Sequence, residues 1–439
     1  MARVTLAIFV LLFVAVGSTV TAASGVEHPD YPQFQGDEAN SSVVSSNGTG
    51  VWQIAWVSEN SSINVENYTA PKSSPVIYDE VVFMGDDSGE VHAMYLSNGT
   101  TKWFTKVTAY EGDGTYDNHG IHSTPAVFDG VVYVGTYDGY LYALDAENGS
   151  VVWKFGPIGS AVGSSPHVLK HRTLGDVVYF SGDDEWVYCV RTNGSLAWKT
   201  HAASDDMHSS VALDPGRDVL VVGSNDHHVY GLNLTTGETV WAFETGAEVK
   251  ASPAIDVTTG MAYVGSWDHV VYALDVLTGH QAWNFTTGGK VYSSVAVDPK
   301  NDLVVVASYD GELYALNRTS GALAWKYAMF SGSICSPIVD PWNEFAIVGD
   351  YGGFVYSVDL LDGRQLWSYP TGGKITSSPA ISGDLLVVAS QDGRVYAFRS
   401  FVAPKTYWSE AFAFLGIGAA AVLGASVLLK HRSSRLQEE

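Results

Sequence analysis

Short apolar runs alternate with polar turn residues along most of the chain, and this alternation recurs at a nearly fixed period. One unit comprises the apolar runs at residues 251–255, 261–265 and 271–275, followed by the segment 278–283. Asp, Gly and Thr-Gly turns separate the runs. Runs of this length between such turns predict β-strands, so each unit predicts four strands.

Eight tryptophans mark the period, at spacings of 42 to 50 residues: Trp56, Trp103, Trp153, Trp198, Trp241, Trp283, Trp325 and Trp367. Four strands per unit at this period indicate one blade of a β-propeller. The eighth unit ends without its Trp strand, and residues 51–56 supply an unassigned one. We therefore predict an all-β, eight-bladed propeller of four-stranded antiparallel blades over residues 51–400, in which residues 51–56 complete the last blade.

The two ends of the chain predict a membrane anchor. Residues 1–22 read as a signal peptide, with Arg3 before an apolar run and small residues up to Ala22. Residues 411–429 are uncharged and apolar, long enough for one C-terminal transmembrane helix, and basic residues follow them. Residues 23–50 are expected to be a flexible lead-in, 401–410 a stalk and 430–439 a cytoplasmic tail. The propeller is then expected at the cell surface or in the lumen of the secretory pathway.

Sequons and charge support an extracytoplasmic location. Glycosylation is expected at the ten Asn-x-Ser/Thr sites, Asn40, Asn47, Asn60, Asn67, Asn98, Asn148, Asn193, Asn233, Asn284 and Asn317. The formal net charge is −24, which argues against nucleic acid as a partner.

The repeats resemble those of the pyrrolo-quinoline quinone (PQQ)-like repeat family over about residues 51–400. Residues 145–153 and 275–283 are close to its Ala-Leu-Asp-x-x-Thr-Gly-x-x-x-Trp motif, and the resemblance implies that the eight recurring tryptophans dock neighbouring blades. A WD40 propeller is the rival, but Trp267-Asp268 is the one Trp-Asp dipeptide in the chain.

The resemblance also implies an enzymatic alternative. The dehydrogenases of the family hold PQQ over a calcium ion, stacked against a disulfide of two adjacent cysteines. Here the two cysteines, Cys189 and Cys335, are not adjacent, and no calcium ligands can be matched. We therefore expect no cofactor, with PQQ and calcium as the alternative.

Polar residues of the interblade connections form a candidate collar around the central funnel. His122 and His208 each precede the Ser-Thr or Ser-Ser mark of an inner strand. The collar could hold a cation or an anionic small molecule, or form a solvated rim without a ligand. Its members are Lys72, Asp113, Asp117, His119, His122, Asp205, Asp206, His208 and Lys250.

Three functions remain open. We expect a single-pass membrane protein whose propeller is a non-enzymatic binding or scaffold module for an extracytoplasmic protein or small ligand. The alternatives are a PQQ- and calcium-dependent dehydrogenase and a purely structural glycosylated surface protein. Gly416, Ala420 and Gly424 have a spacing that permits a helix-mediated homodimer.

Overall fold

The computed structural model describes residues 30–58, 73–108 and 120–401, and these residues form the predicted eight-bladed propeller. Thirty-two strands assemble into eight four-stranded sheets, and all paired strands are antiparallel. Within the described ranges there is no helix long and apolar enough to cross a membrane. The predicted signal peptide, stalk beyond residue 401, transmembrane helix and tail lie outside them.

Each blade begins with a short strand beside the central axis and ends with a long strand at the rim. Blades one to four contain β2 (Val76–Tyr78), β3 (Val81–Gly85), β4 (Glu90–Tyr95), β5 (Thr101–Lys106), β6 (Ala126–Phe128), β7 (Val131–Gly135), β8 (Leu141–Asp145), β9 (Val151–Phe155), β10 (His167–His171), β11 (Gly175–Ser181), β12 (Trp186–Arg191), β13 (Leu196–His201), β14 (Ala212–Asp214), β15 (Val219–Gly223), β16 (His228–Asn233) and β17 (Thr239–Glu244). Blades five to eight contain β18 (Ala254–Asp256), β19 (Met261–Gly265), β20 (Val270–Asp275), β21 (Gln281–Thr286), β22 (Ala296–Asp298), β23 (Leu303–Ala307), β24 (Glu312–Asn317), β25 (Leu323–Ala328), β26 (Ile338–Asp340), β27 (Phe345–Gly349), β28 (Phe354–Asp359), β29 (Gln365–Pro370), β30 (Ala380–Ser382), β31 (Leu385–Ser390), β32 (Arg394–Ser400) and the N-terminal β1 (Trp52–Val57).

The N-terminal strand closes the ring. β1 pairs with β32 as the outer strand of blade eight, from Trp52 opposite Ser400 to Val57 opposite Tyr396. The last blade is thus built from both ends of the propeller sequence, which removes two free sheet edges.

Tryptophans of the outer strands join neighbouring blades. Trp241 is representative: its Nε1 donates to the carbonyl of Val276 in blade five at 2.8 Å. Its ring covers Gly279 in the Thr-Gly turn, where φ is +69° and a Cβ would come within 2.7 Å of the indole. Equivalent Nε1 bonds are made by Trp56, Trp103, Trp153, Trp283 and Trp325.

Two of the eight tryptophans dock differently. Trp367 packs against Phe398 of blade eight, with ring centroids 5.1 Å apart, since that blade has chain ends in place of a Thr-Gly turn. Trp198 packs on Gly237, but its Nε1 has no hydrogen-bond partner among the described residues.

The hydrophobic core lies between blades. Val271 and Trp283 of blade five, for example, belong to one buried cluster with Val297, Val306 and Tyr314 of blade six. Alternate side chains of each strand thus face the next blade, and the stable unit is a blade pair rather than a single blade.

The expectation of a flexible lead-in over residues 23–50 is wrong for its described part. Residues 31–47, called the floor segment here, run around the central channel and hydrogen-bond all eight blades in order, seven of them at the inner strand and blade eight at the turn that follows it. The contacts are Tyr31 with Ile77, Pro32 with Val127, Gln33 with Val168, Glu38 with Leu213, Ala39 with Ile255, Ser41 with Val297, Ser42 with Val339 and Asn47 with Gly383.

The reason is that the innermost strands leave backbone N–H and C=O groups unpaired at the channel. Buried backbone groups require partners, and the polar floor segment supplies them. A polar composition without a repeat also occurs in disordered segments, so the composition of the floor segment did not reveal that it is ordered.

Candidate functional site

A ring of hydroxyl side chains lines the axis just above the floor segment. One residue of this hydroxyl ring comes from the start of each inner strand, and its backbone N–H donates to the hydroxyl of the next blade, as from Ser210 to Ser252 at 2.9 Å. Six such bonds are described. The members are Ser74, Thr124, Ser165, Ser210, Ser252, Ser294, Ser336 and Ser378.

A cavity of about 1070 Å³ lies above this ring and faces the middle hairpins of the blades. Phe34 of the floor segment contributes to its lining, so the floor segment covers the opposite end of the channel. The propeller axis is therefore a blind pocket rather than a through channel.

Two tiers of variable side chains form the wall of this cavity. The lower tier stands two residues before each member of the hydroxyl ring and comprises His122, Gly163, His208, Lys250, Tyr292, Ile334 and Thr376 in the described blades. The upper tier begins each middle hairpin and includes Tyr137, Asp183, Trp267, Tyr309 and Tyr351. The repeat fixes the backbone and hydroxyl positions, whereas these two tiers differ from blade to blade.

One wall carries a histidine between a tyrosine and a carboxylate. His122 Nδ1 lies 2.7 Å from the Tyr137 hydroxyl, and its Nε2 lies 3.3 Å from Asp87 Oδ1. These contacts hold the imidazole in the cavity wall, where its side chain is 11% exposed.

The adjoining wall brings together Asp183, Asp206 and His208, called the Asp-His cluster here. His208 Nδ1 lies 3.3 Å from Asp183 Oδ1, and its Nε2 lies 3.9 Å from Asp206 Oδ2. Burial, with the nearby Asp206 and Asp184 carboxylates, raises the pKa of Asp183 to about 7. Lys250 partly opposes this rise, and its Nζ pairs with Glu248 at 2.8 Å.

The opposite side of the cavity is an aromatic wall formed by Trp267, Tyr292, Tyr309 and Tyr351. The Tyr309 and Tyr351 hydroxyls are 3.1 Å apart. Burial, followed by the neighbouring Tyr309, raises the pKa of Tyr292 to about 12, so this phenol is neutral at physiological pH. The Nζ atoms of Lys250 and Lys290 lie 4.1 and 3.6 Å from the Trp267 ring centroid.

The aspartates of the middle hairpins are structural. Asp268 accepts from the Tyr272 hydroxyl at 2.7 Å, from Gly246 N at 2.7 Å and from Val270 N at 2.9 Å. These bonds fix the turn and the interblade connection, so the carboxylate is fully engaged. The same tyrosine contact recurs at Asp138, Asp184, Asp226, Asp310 and Asp392.

The structure brings part of the predicted collar together. His122, Asp206, His208 and Lys250 all line the cavity, whereas the Asp205 side chain is exposed and is absent from the lining. Four other predicted members lie outside the described residues: Lys72, Asp113, Asp117 and His119.

The sequence interpretation missed the upper tier. This tier is the first residue of each middle hairpin, and in four blades it is Asp183, Trp267, Tyr309 and Tyr351. From the sequence alone, this position is interpreted only as part of a turn. Aligning the repeats at that position would have revealed them, because its residue varies among Asp, Asn, Gln, Tyr and Trp while the following residue is mostly Asp.

The structure also separates the predicted sequons. Asn40 is fully buried, and its Nδ2, the atom that would carry a glycan, donates to Val211 O and Pro253 O at 3.0 Å. Glycosylation at Asn40 is thus incompatible with the floor segment as folded. Asn60 and Asn67 lie outside the described residues, and the side chains of Asn47, Asn98, Asn148, Asn193 and Asn284 are exposed.

The remaining two sequons are partly engaged. The Nδ2 atoms of Asn233 and Asn317 donate to Asp218 Oδ2 at 2.8 Å and Asp302 Oδ2 at 2.7 Å. Glycosylation itself stays a prediction at every site other than Asn40.

Comparison with known proteins gives one family match. A family model described as outer membrane protein assembly factor BamB matches residues 39–211 and 183–400. No curated protein sequence matches the chain significantly.

Solved structures share the architecture at low sequence identity. BamB from Moraxella catarrhalis is 18% identical, with a TM-score of 0.61 over 80% of this chain and 100% of that chain. Quinohemoprotein alcohol dehydrogenase from Comamonas testosteroni is 15% identical, with a TM-score of 0.68 over 86% and 82%. A europium-containing methanol dehydrogenase is 13% identical, with a TM-score of 0.69 over 84% and 98%. At these identities the likeness extends to the fold alone.

Proposed function

Because the chain belongs to the family described as outer membrane protein assembly factor BamB, we propose that its propeller is a non-enzymatic binding module. The ligand is a small polar molecule held in the central cavity, and the module is anchored outside the cytosol by the apolar segment 411–429. The family description favours a protein partner as the second candidate.

The observation that carries the small-ligand proposal is a blind cavity with one aromatic wall and one polar wall. Its volume of about 1070 Å³ is at the upper end of ligand pockets. Aromatic faces such as Trp267 and Tyr309 offer flat apolar contact on one side. Carboxylates, imidazoles and the hydroxyl ring offer hydrogen bonds on the other side and below.

The cavity does not fit PQQ. PQQ carries three carboxylates, and Lys250 is the one lysine or arginine among the described residues of the lining, against Asp138, Asp183 and Asp206. Cys189 and Cys335 are both buried and unpaired with each other, and no adjacent cysteine pair exists in the sequence to stack on the quinone. We therefore derive no redox step.

The test is native mass spectrometry of the full chain in detergent, which detects small molecules that copurify. Ile334→Trp places an indole in the lower tier and should displace the bound molecule. Leu323→Trp makes a comparable change on the exposed face of β25 and should retain it. Absence of any copurifying molecule from the wild type, with a stoichiometric protein partner instead, would replace this proposal by the scaffold function.

A further inference from the structure

We infer that Asp183, Asp206 and His208 form a binding site for a divalent transition-metal ion in the wall of the cavity. This inference deepens the proposed function, on which it rests in one respect: the ion would lie in the cavity to which we assign the ligand. An ion there offers open coordination positions to the oxygen or nitrogen atoms of that ligand.

The donor atoms are close enough for one ion. One ligand atom from each of the three side chains lies within 4.8 Å of the other two. Ligands bound at about 2.0–2.2 Å from an ion lie roughly 3 Å or slightly more from one another, so a movement of about 1 Å suffices. Asp206 can make it, because its side chain lines the cavity and is 48% exposed.

Asp183 is a buried carboxylate that lines the cavity, and the hydrogen-bonding capacity of one of its oxygens is not satisfied by the described residues. Its side chain is 7% exposed, and Oδ1 accepts no hydrogen bond from the described residues, although His208 Nδ1 lies 3.3 Å away. A buried carboxylate needs compensation by charge or hydrogen bonds. A bound cation supplies it here.

Gly163 leaves space beside these donors. It is the lower-tier residue of blade three, and a Cβ built on it would lie 3.3 Å from His208 Nδ1 and 3.8 Å from Asp183 Oδ2. Every other described lower-tier position carries a side chain. A side chain at position 163 would crowd His208 Nδ1, so the glycine leaves this atom and Asp183 Oδ2 accessible from the cavity.

The second group with metal-compatible spacing, Asp86, Glu90 and His92, provides a contrast. Asp86 Oδ1 already accepts from Ser88 N, Ser88 Oγ and Glu90 N, and its Oδ2 contacts His92 Nε2 at 2.9 Å. The carboxylate oxygens of Asp86 are thus already hydrogen-bonded within the hairpin, and none of the three residues lines the cavity. We assign no ion to it.

The donor set selects the class of metal. Imidazole together with carboxylates suits Zn²⁺, Co²⁺ or Mn²⁺, whereas Ca²⁺ prefers six to eight oxygen ligands. Zn²⁺ should therefore bind much more tightly than Ca²⁺, which distinguishes this site from the calcium arrangement that the family resemblance implied.

The experiment is calorimetric titration of the metal-free full chain with Zn²⁺, together with the visible absorption of added Co²⁺. We expect one high-affinity Zn²⁺ per chain and a Co²⁺ spectrum shifted from that of the aqueous ion. Asp183→Asn and His208→Ala should each weaken Zn²⁺ binding by at least about 10–100-fold, the effect typical of losing an outer-shell partner, because each removes one of three direct protein ligands. His280→Ala, at an exposed histidine in the Thr-Gly turn of blade five, should leave it unchanged.

Gly163→Val keeps all three metal-binding side chains and places a new side chain against His208 Nδ1, so it should weaken Zn²⁺ binding. Failure of the wild type to bind Zn²⁺, or equal affinity in the wild type and His208→Ala, would overturn the inference. Copurification of a small molecule is a separate readout. Its retention without Zn²⁺ binding would reject the metal site and leave the proposed function in place, and Zn²⁺ binding without a copurifying molecule would do the reverse.

Discussion

At the scale of single residues, the repeated tryptophans differ in one hydrogen bond. Trp241 Nε1 donates to Val276 O at 2.8 Å. In blade four the equivalent carbonyl, Leu234 O, instead accepts from the Tyr179 hydroxyl at 3.1 Å, and the buried Trp198 Nε1 has no partner among the described residues. Tyr179, from the second strand of the same blade as Trp198, has taken the place of the indole.

This difference predicts unequal costs for the same substitution. Trp241→Phe and Trp198→Phe both lose indole packing, but only the first also breaks a buried hydrogen bond, which typically contributes about 1 kcal/mol. Trp241→Phe should therefore lower the free energy of unfolding by ~1 kcal/mol more than Trp198→Phe, measured by urea unfolding. Equal losses would mean that the indole N–H contributes nothing to docking.

At the scale of elements, the blades were predictable and the floor segment was not. Each blade repeats the same local pattern. Its strands can therefore be located from one Trp and one Thr-Gly turn, such as Trp283 and Gly279, without information from the other blades. The missing outer strand of blade eight similarly identified β1. The floor segment follows no repeat, since its position depends on backbone groups contributed by eight separate blades, and no local pattern encodes that.

The floor segment also predicts a pH dependence through Asp37. Burial raises the pKa of this carboxyl to about 6, despite hydrogen bonds from Ser41 and with a further contribution from the charge of Glu38. Since the folded-state pKa lies above the unfolded value, the stabilisation is present below about pH 4 and is lost as the pH rises through about 6. Asp37→Asn should remove this loss, because the amide oxygen can still accept from Ala39 N and Ser41 N, as Oδ1 does.

The measurement is the difference in unfolding free energy between Asp37→Asn and the wild type at pH 4 and pH 7.5. Between pH 4 and pH 7.5 this difference should change in favour of the variant by up to ~3 kcal/mol, because each unit by which the pKa is raised corresponds to about 1.4 kcal/mol. Asp362→Asn, in an exposed turn of blade seven, controls for the loss of one negative charge. A pH-independent difference for Asp37→Asn would contradict the raised pKa.

At the scale of the whole molecule, the two faces of the ring have different roles. One face carries the middle hairpins and the open end of the cavity, and the other carries the Thr-Gly turns. The sequence predicted this division from blade topology, and it placed His122 and His208 at the funnel. It did not predict the Asp-His cluster, because Asp183 and His208 are joined only by the packing of blade three against blade four.

The path of the last strand predicts how these faces are oriented. β32 runs from the hairpin face to the Thr-Gly face, and Phe401 N then donates to Val51 O at 2.8 Å. If residues 411–429 span the bilayer, the ten residues 401–410 extend at most about 33–36 Å. The Thr-Gly face should therefore lie nearer the membrane, with the cavity directed away from it and accessible to a soluble ligand.

Cysteine labelling of intact membranes tests this orientation. Phe330 is 77% exposed on a hairpin-face connection, and Leu277 is 51% exposed in the Thr-Gly turn of blade five. A bulky maleimide should react faster with Phe330→Cys than with Leu277→Cys in membranes, and the two rates should converge after solubilisation in detergent. The native Cys189 and Cys335 are both buried, so they give little background. Faster labelling of Leu277→Cys in membranes would place the cavity against the bilayer and restrict its ligands to lipid or to a membrane-embedded partner.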